Sequence, residues 1–189
     1  MDALVAAIDA HDPCTAAHSE QVARLAAEVG LRMGLEPRDA LQLGLAARLH
    51  DVGKILIPNR ILRKPRALSD LEWGVIRLHP TWGAAMLAPV PGLEPVAAVV
   101  RWHHERWDGA GYPDRVRADS IPLHSRVIAV CDAYETMTSR RPYRGALSHD
   151  GAVRELELGA GTQFDPEVVD VARATLDGLE GERAALSAA

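Results

Sequence analysis

PRDALQLGLAARLHDVGK, residues 37–54, is the stretch from which the rest of the chain can be read. Proline is at home in the first turn of a helix, where its missing N–H would have no partner anyway. Leu41, Leu45 and Leu49 then recur at every fourth residue, which predicts a helix from about Pro37 to Asp51 with those leucines on its core face. Gly53 is the expected stop. The helix thus ends on His50 and Asp51. At a helix end, adjacent side chains can turn toward one point instead of diverging around a cylinder.

Outward from this stretch the same signals recur, and the alternation of a β-strand does not. Asp12 and Pro13 read as a cap and first turn, and Val22, Leu25, Ala26, Val29 and Met33 follow at helical spacing up to Gly34. IPNRILRKPRALSD (57–70) reads as an irregular excursion, closed by the capping-box pair Ser69 and Glu72. A helix is expected through Val96–His104, then a turn-rich DGAGYPD (108–114), then a helix from Pro122 to Ser139 with Ile128 and Ala129 near its buried side. Ser148 and the Asp165–Pro166 pair should cap two last helices. No repeat or linker divides the chain. The expectation is an all-α, single-domain bundle, with residues 1–177 as the catalytic unit and a Gly-, Ala- and Glu-rich tail (178–189) that frays.

Composition agrees. Of 189 residues, 48% are apolar and only 4% aromatic, a core of alanine and leucine that suits helices better than sheets. The net charge of −5 argues against a partner that is a nucleic-acid polymer, while leaving room for a small anion beside a local cluster such as Arg140, Arg141 and Arg144. Cys14 and Cys131 lie far apart in no CxxC pattern and read as reduced thiols. No apolar run approaches the ~20 residues that span a bilayer, and the opening residues do not resemble a signal peptide. A cytoplasmic protein is expected.

The chemistry lies in His18, His50, Asp51, His79, His103, His104 and Asp132. The chain has eight histidines, and five belong to this set. His103 and His104 repeat at a second helix end what His50 and Asp51 do at the first, whereas His18 and Asp132 come from helix interiors. A site assembled between helices follows, as bundles commonly build metal centres. Imidazole and carboxylate suit Fe, Mn, Ni, Co or Zn, and the lack of thiolates argues against a structural zinc site. Seven ligands fit two ions better than one, with Asp51 as the natural bridge. Two cations ~3.5–4 Å apart acidify a shared water and clamp phosphate oxygens. Each motif alone is weak, because an isolated HD dipeptide or a lone His79 is usually structural. Their co-occurrence carries the weight.

HDVGKI (50–55), HP (79–80), HHERWDGAGYP (103–113) and VCDAYETMTSRRPYR (130–144), with GTQFDP near the end, together resemble the HD-GYP family of HD-domain metal-dependent phosphohydrolases. The resemblance runs from about Asp12 to Asp165. It implies a bundle of roughly seven helices around a metal centre and hydrolysis of cyclic di-GMP to linear pGpG, in some members on to GMP, by a hydroxide bridging the metals. Carried onto matching positions, the metal ligands are the same seven residues, with His50, Asp51 and Lys54 catalytic. Lys54, Tyr112, Arg141 and Arg144 match substrate-contacting positions. Fe or Mn is the expected pair, with Ni, Co, Zn or Mg also compatible, and a homodimer or a regulatory protein partner fits the family as well.

The chain departs from the family pattern at two points. Where three-metal members carry a glutamate, four residues before the first histidine, this chain has Cys14, so two metals are expected and conversion beyond pGpG is in doubt. Glu135 stands where aspartate is more usual and is expected to disturb a hydrogen bond behind the ligands. The alternatives are an HD-type hydrolase of another nucleotide and a weakly active receptor that binds cyclic di-GMP and signals through protein contacts.

Overall fold

The computed structural model describes residues 13–139 and 145–187. Among them are nine α-helices: α1 (Pro13–Arg32), α2 (Pro37–Leu49), α3 (Asn59–Leu62), α4 (Asp70–Ile76), α5 (His79–Leu87), α6 (Glu94–Trp102), α7 (Leu123–Thr138), α8 (His149–Gly159) and α9 (Pro166–Ser187). Single 3₁₀ turns cover Val52–Leu56 and Ala118–Ser120. No β-strand occurs among the described residues, only one isolated bridge between Ala160 and Phe164. Among the described residues, no helix is long and apolar enough to cross a membrane.

The core forms where α1, α2, α6, α7 and α9 meet. Val22, Ala26 and Val29 of α1 pack with Leu43, Ala46 and Ala47 of α2, with Val100 of α6, and with Val127 and Ile128 of α7. Small residues set the spacing. A Cβ on Gly30 would come within 2.8 Å of Leu43 Cδ2, so α1 and α2 approach more closely than two side-chain-bearing positions allow. Burying leucines such as Leu43 and Leu49 stabilises the bundle by roughly 1.5–3 kcal/mol each.

Two expectations for α2 need correction. The buried face is Ala40, Leu43, Ala46, Ala47 and Leu49, and Leu41 is 75% exposed. Steps of four residues drift ~40° per repeat at 3.6 residues per turn, so a strict every-fourth pattern rolls off the core that the three-and-four spacing of residues 40, 43, 46 and 47 keeps. Gly53 is not a left-handed helix stop. It is buried within the 3₁₀ turn where that turn crosses α5, and a Cβ there would lie 2.0 Å from the His79 carbonyl oxygen and 2.6 Å from the Gly83 nitrogen.

The other punctuation behaves as its chemistry requires. Ser69 and Glu72 form a full capping box on α4. Ser148 accepts a hydrogen bond from the Gly151 N–H at the start of α8, and Asp165 does so from the Glu167 N–H at the start of α9. The capping expected of Asp12 lies outside the described residues. α9 continues as helix through Ser187, across residues 178–187 where the composition suggested fraying.

Candidate metal centre

α2 ends at Leu49, and His50 still has helical backbone angles. Asp51 (φ −97°, ψ 5°) then turns the chain into the 3₁₀ segment. The Gly53 contact sets this turn against the first turn of α5 and so brings His79 to Asp51. His103 caps α6, with His104 next in line. His18 projects from α1 and Asp132 from α7. The five imidazoles form a chain of ring contacts, with centroids 5.6 Å apart for His18–His50, 5.1 Å for His50–His103, 5.3 Å for His79–His103 and 4.1 Å for His103–His104. His50, Asp51, His79 and His103 are buried.

The outward nitrogens are held from behind. Nδ1 of His50 meets the Ala47 carbonyl at 2.6 Å, Nδ1 of His79 the Ile76 carbonyl at 2.7 Å, and Nδ1 of His103 the Val100 carbonyl at 2.6 Å. Each partner lies three residues back in sequence, on the preceding helical turn. Spending Nδ1 this way leaves Nε2 as the inward, lone-pair-bearing nitrogen. His18 follows the same rule with a side chain: its Nδ1 meets Oε2 of Glu135. Inside, His79 Nε2 and His103 Nε2 stand 3.3 Å apart. Asp51 lies between two imidazoles, with Oδ2 3.3 Å from His50 Nε2 and Oδ1 3.3 Å from His79 Nε2. His18 Nε2 is 3.0 Å from Asp132 Oδ1.

Charge follows from these contacts. Burial opposes ionisation of Asp51, but Lys54 and His50 overcome it and hold the carboxyl well below the usual range. Burial likewise opposes charge on His18, yet Asp132 and Glu135 raise it to about 9. Burial and the neighbouring imidazoles keep His103 well below its ordinary value, and His104 falls to about 3, chiefly by burial. The site therefore sets the ionised Asp51 beside neutral His103 and His104, while His18 holds a proton against Asp132 and Glu135.

This donor set fits divalent metal. Asp51, His79, His103 and His104 offer ligand atoms within 4.8 Å of one another, as do His18, His50 and Asp51. Asp51 belongs to both groups, one carboxylate oxygen facing each. Its Oδ1 is buried without a hydrogen-bond partner, and a cation would satisfy it.

A profile of the HD domain matches residues 2–168. The chain belongs to the HD-domain family. Its Gly111-Tyr112-Pro113 segment, after the histidine pair, places it in the HD-GYP branch. It is 36% identical over 190 residues to the cyclic di-GMP phosphodiesterase response regulator RpfG of Xanthomonas campestris, covering 98% of this chain and 50% of that one. It is 34% identical over 175 residues to 3'3'-cGAMP-specific phosphodiesterase 3 of Vibrio cholerae, covering 93% and 38%. The chain thus spans half the length of these curated relatives, or less. Among solved structures, the phosphodiesterase PgpH HD domain of Listeria monocytogenes in complex with cyclic di-AMP superposes with a TM-score of 0.69 at 20% identity, covering 94% and 95%. That likeness is one of fold.

Among the residues matched to substrate contacts, Lys54 in this HD domain places Nζ 2.5 Å from Asp51 Oδ2, on the rim of the centre. Tyr112 lies against the His104 ring, centroids 4.9 Å apart at 32°, with the Arg77 guanidinium 5.7 Å from the tyrosine ring. Arg140, Arg141 and Arg144 lie outside the described residues, as does the side chain of Cys14.

Three contributors were missed or misjudged. Glu135 does not disturb the shell behind the ligands: its extra methylene lets it span from α7 to His18. Glu105 is buried and accepts from the Asp114 and Arg115 N–H groups at 2.7 and 2.9 Å, tying the GYP loop under the histidine pair. Gly111 makes this possible, since a Cβ there would fall 2.4 Å from the Arg106 nitrogen. Arg77 precedes His79 in an unremarkable helix-end context. For Glu105, adjacency to the pair was the only available signal.

Proposed function

We propose that this chain is a metal-dependent phosphodiesterase that linearises cyclic di-GMP to pGpG, working in the cytoplasm on a pair of divalent ions, Fe or Mn. The carrying observation is Asp51, a buried carboxylate common to both ligand groups with one oxygen toward each. His18 and His50 would hold one ion and His79, His103 and His104 the other, with Asp132, 3.0 Å from His18 Nε2, beside the first. Such ions, when bound, supply Lewis acidity and positive charge beside a phosphate.

The protein's own residues do the rest. The backbone carbonyls behind His50, His79 and His103, and Glu135 behind His18, keep the imidazoles aimed with Nε2 turned inward. Lys54 is free to swing from Asp51 to a non-bridging phosphate oxygen once the carboxylate is committed to cations, which stabilises charge developing on phosphorus. Tyr112 braces His104 from the substrate side. Cys14, in place of a carboxylate, favours two ions and a stop at pGpG.

The test is elemental analysis of anaerobically purified protein, with chromatography of the cyclic di-GMP reaction products from the same sample. About two transition-metal ions and a pGpG peak are expected. Folded protein that neither carries nor takes up metal ends this reading. A relative named for 3'3'-cGAMP favours a second reading, in which the substrate is a different cyclic dinucleotide.

A further inference from the structure

Beside the metal centre opens a cavity of about 340 Å³, large enough for a small ligand group. Its lining takes in His103, His104 and Asp132 of the metal centre. Ala129, Ala133 and Met137 line it from a single face of α7, and Phe164 lines it as well. Phe164 is only 6% exposed and seated on Gly159, where a Cβ would meet its ring at 2.7 Å. A lining that combines an aromatic side chain with small alanines suits a planar ring.

The polar rim says which ring. It holds Arg106, Glu155 and Gln163. Arg106 is engaged by Asp108 through two hydrogen bonds, 3.0 Å from Nε and 2.6 Å from Nη2. Glu155 is exposed and enters no ion pair or side-chain hydrogen bond among the described residues. Among the described residues, the rim's cation is neutralised and its remaining charge is a carboxylate, which disfavours phosphate there. Such a rim accepts a neutral group that offers two adjacent N–H donors.

We propose that this cavity seats one nucleobase of the cyclic dinucleotide and that Glu155 selects guanine. The carboxylate would accept from guanine N1–H and the N2 amino group together, with a phosphate left beside His103, His104 and Asp132. Adenine presents an acceptor at N1, so one carboxylate oxygen would face a lone pair. The inference rests on the phosphodiesterase reading above and assigns the base preference within it.

The experiment compares kcat/KM for cyclic di-GMP and cyclic di-AMP in the metal-loaded full chain, as wild type, Glu155→Gln and Glu155→Ala. A lost bidentate base contact predicts that the guanine-over-adenine ratio falls by about ten- to a hundredfold. The loss should appear mainly as a higher KM for cyclic di-GMP. An unchanged ratio, or equal losses on both substrates, overturns the inference while leaving the phosphodiesterase reading intact. Wild-type protein that turns over neither dinucleotide overturns both.

Discussion

Glu135, on α7, accepts a hydrogen bond from Nδ1 of His18, on α1, and its other carboxylate oxygen accepts from the Ser139 hydroxyl. This contact across two helices gives His18, whose Nδ1 meets no backbone carbonyl, the same support that His50, His79 and His103 draw from their own chain.

Glu135→Gln should therefore weaken metal binding at the His18 end by about 10–100-fold, the usual cost of losing an outer partner of a ligand. Competition against a graded chelator measures it. Affinity equal to wild type would make Glu135 a packing residue only.

Metal stoichiometry separates the shared ligand from the terminal ones. His18→Ala should lower the metal content from about two ions per chain to about one, because only one ligand group contains it. Asp51→Ala should abolish both binding and turnover, since both groups need it. Elemental analysis after desalting decides. A second ion retained by Asp51→Ala would show that the carboxylate is not the bridge.

Gly53→Ala should be costly out of proportion to one methyl group. Its Cβ would lie 2.0 Å from the His79 oxygen and 2.6 Å from the Gly83 nitrogen, both backbone atoms that cannot rotate away. Overpacking of this kind costs ~1–3 kcal/mol or more, and the shift would part His79 from Asp51. Urea denaturation of the metal-free protein reads the first effect, and loss of one ion the second. Wild-type values in both would place the 3₁₀ turn differently.

Helix α4 should loosen in acid. Hydrogen bonds from Lys64 and from the Ser69 N–H lower the pKa of Glu72 from 4.5 to about 2. A carboxylate depressed on folding contributes its stability above the unfolded value and loses it as pH falls through the folded one. Amide exchange at residues 72–76, corrected for intrinsic rates, should accelerate between pH 4.5 and about 2, and Glu72→Gln should remove most of that dependence. Protection independent of pH over this window would remove the ion pair from the account of α4.

Most of the helices and the capping pairs were legible in the sequence alone, as were the six candidate ligands that the two groups bring together, whereas α3 falls within a stretch read as irregular. Helix periodicity, the capping pairs at Ser69, Ser148 and Asp165, and histidines set at helix ends are local signals, decided by backbone geometry within a few residues. Tertiary structure decided what depends on neighbours distant in the chain: that Leu41 faces solvent while Leu43 is core, that Gly53 is a crossing point and not a stop, and that Glu135 reaches His18 across 117 residues. A side chain's type and spacing say what it can bond. Which partner stands opposite is settled only when separate helices pack, because the sequence carries no distance between residues far apart in the chain.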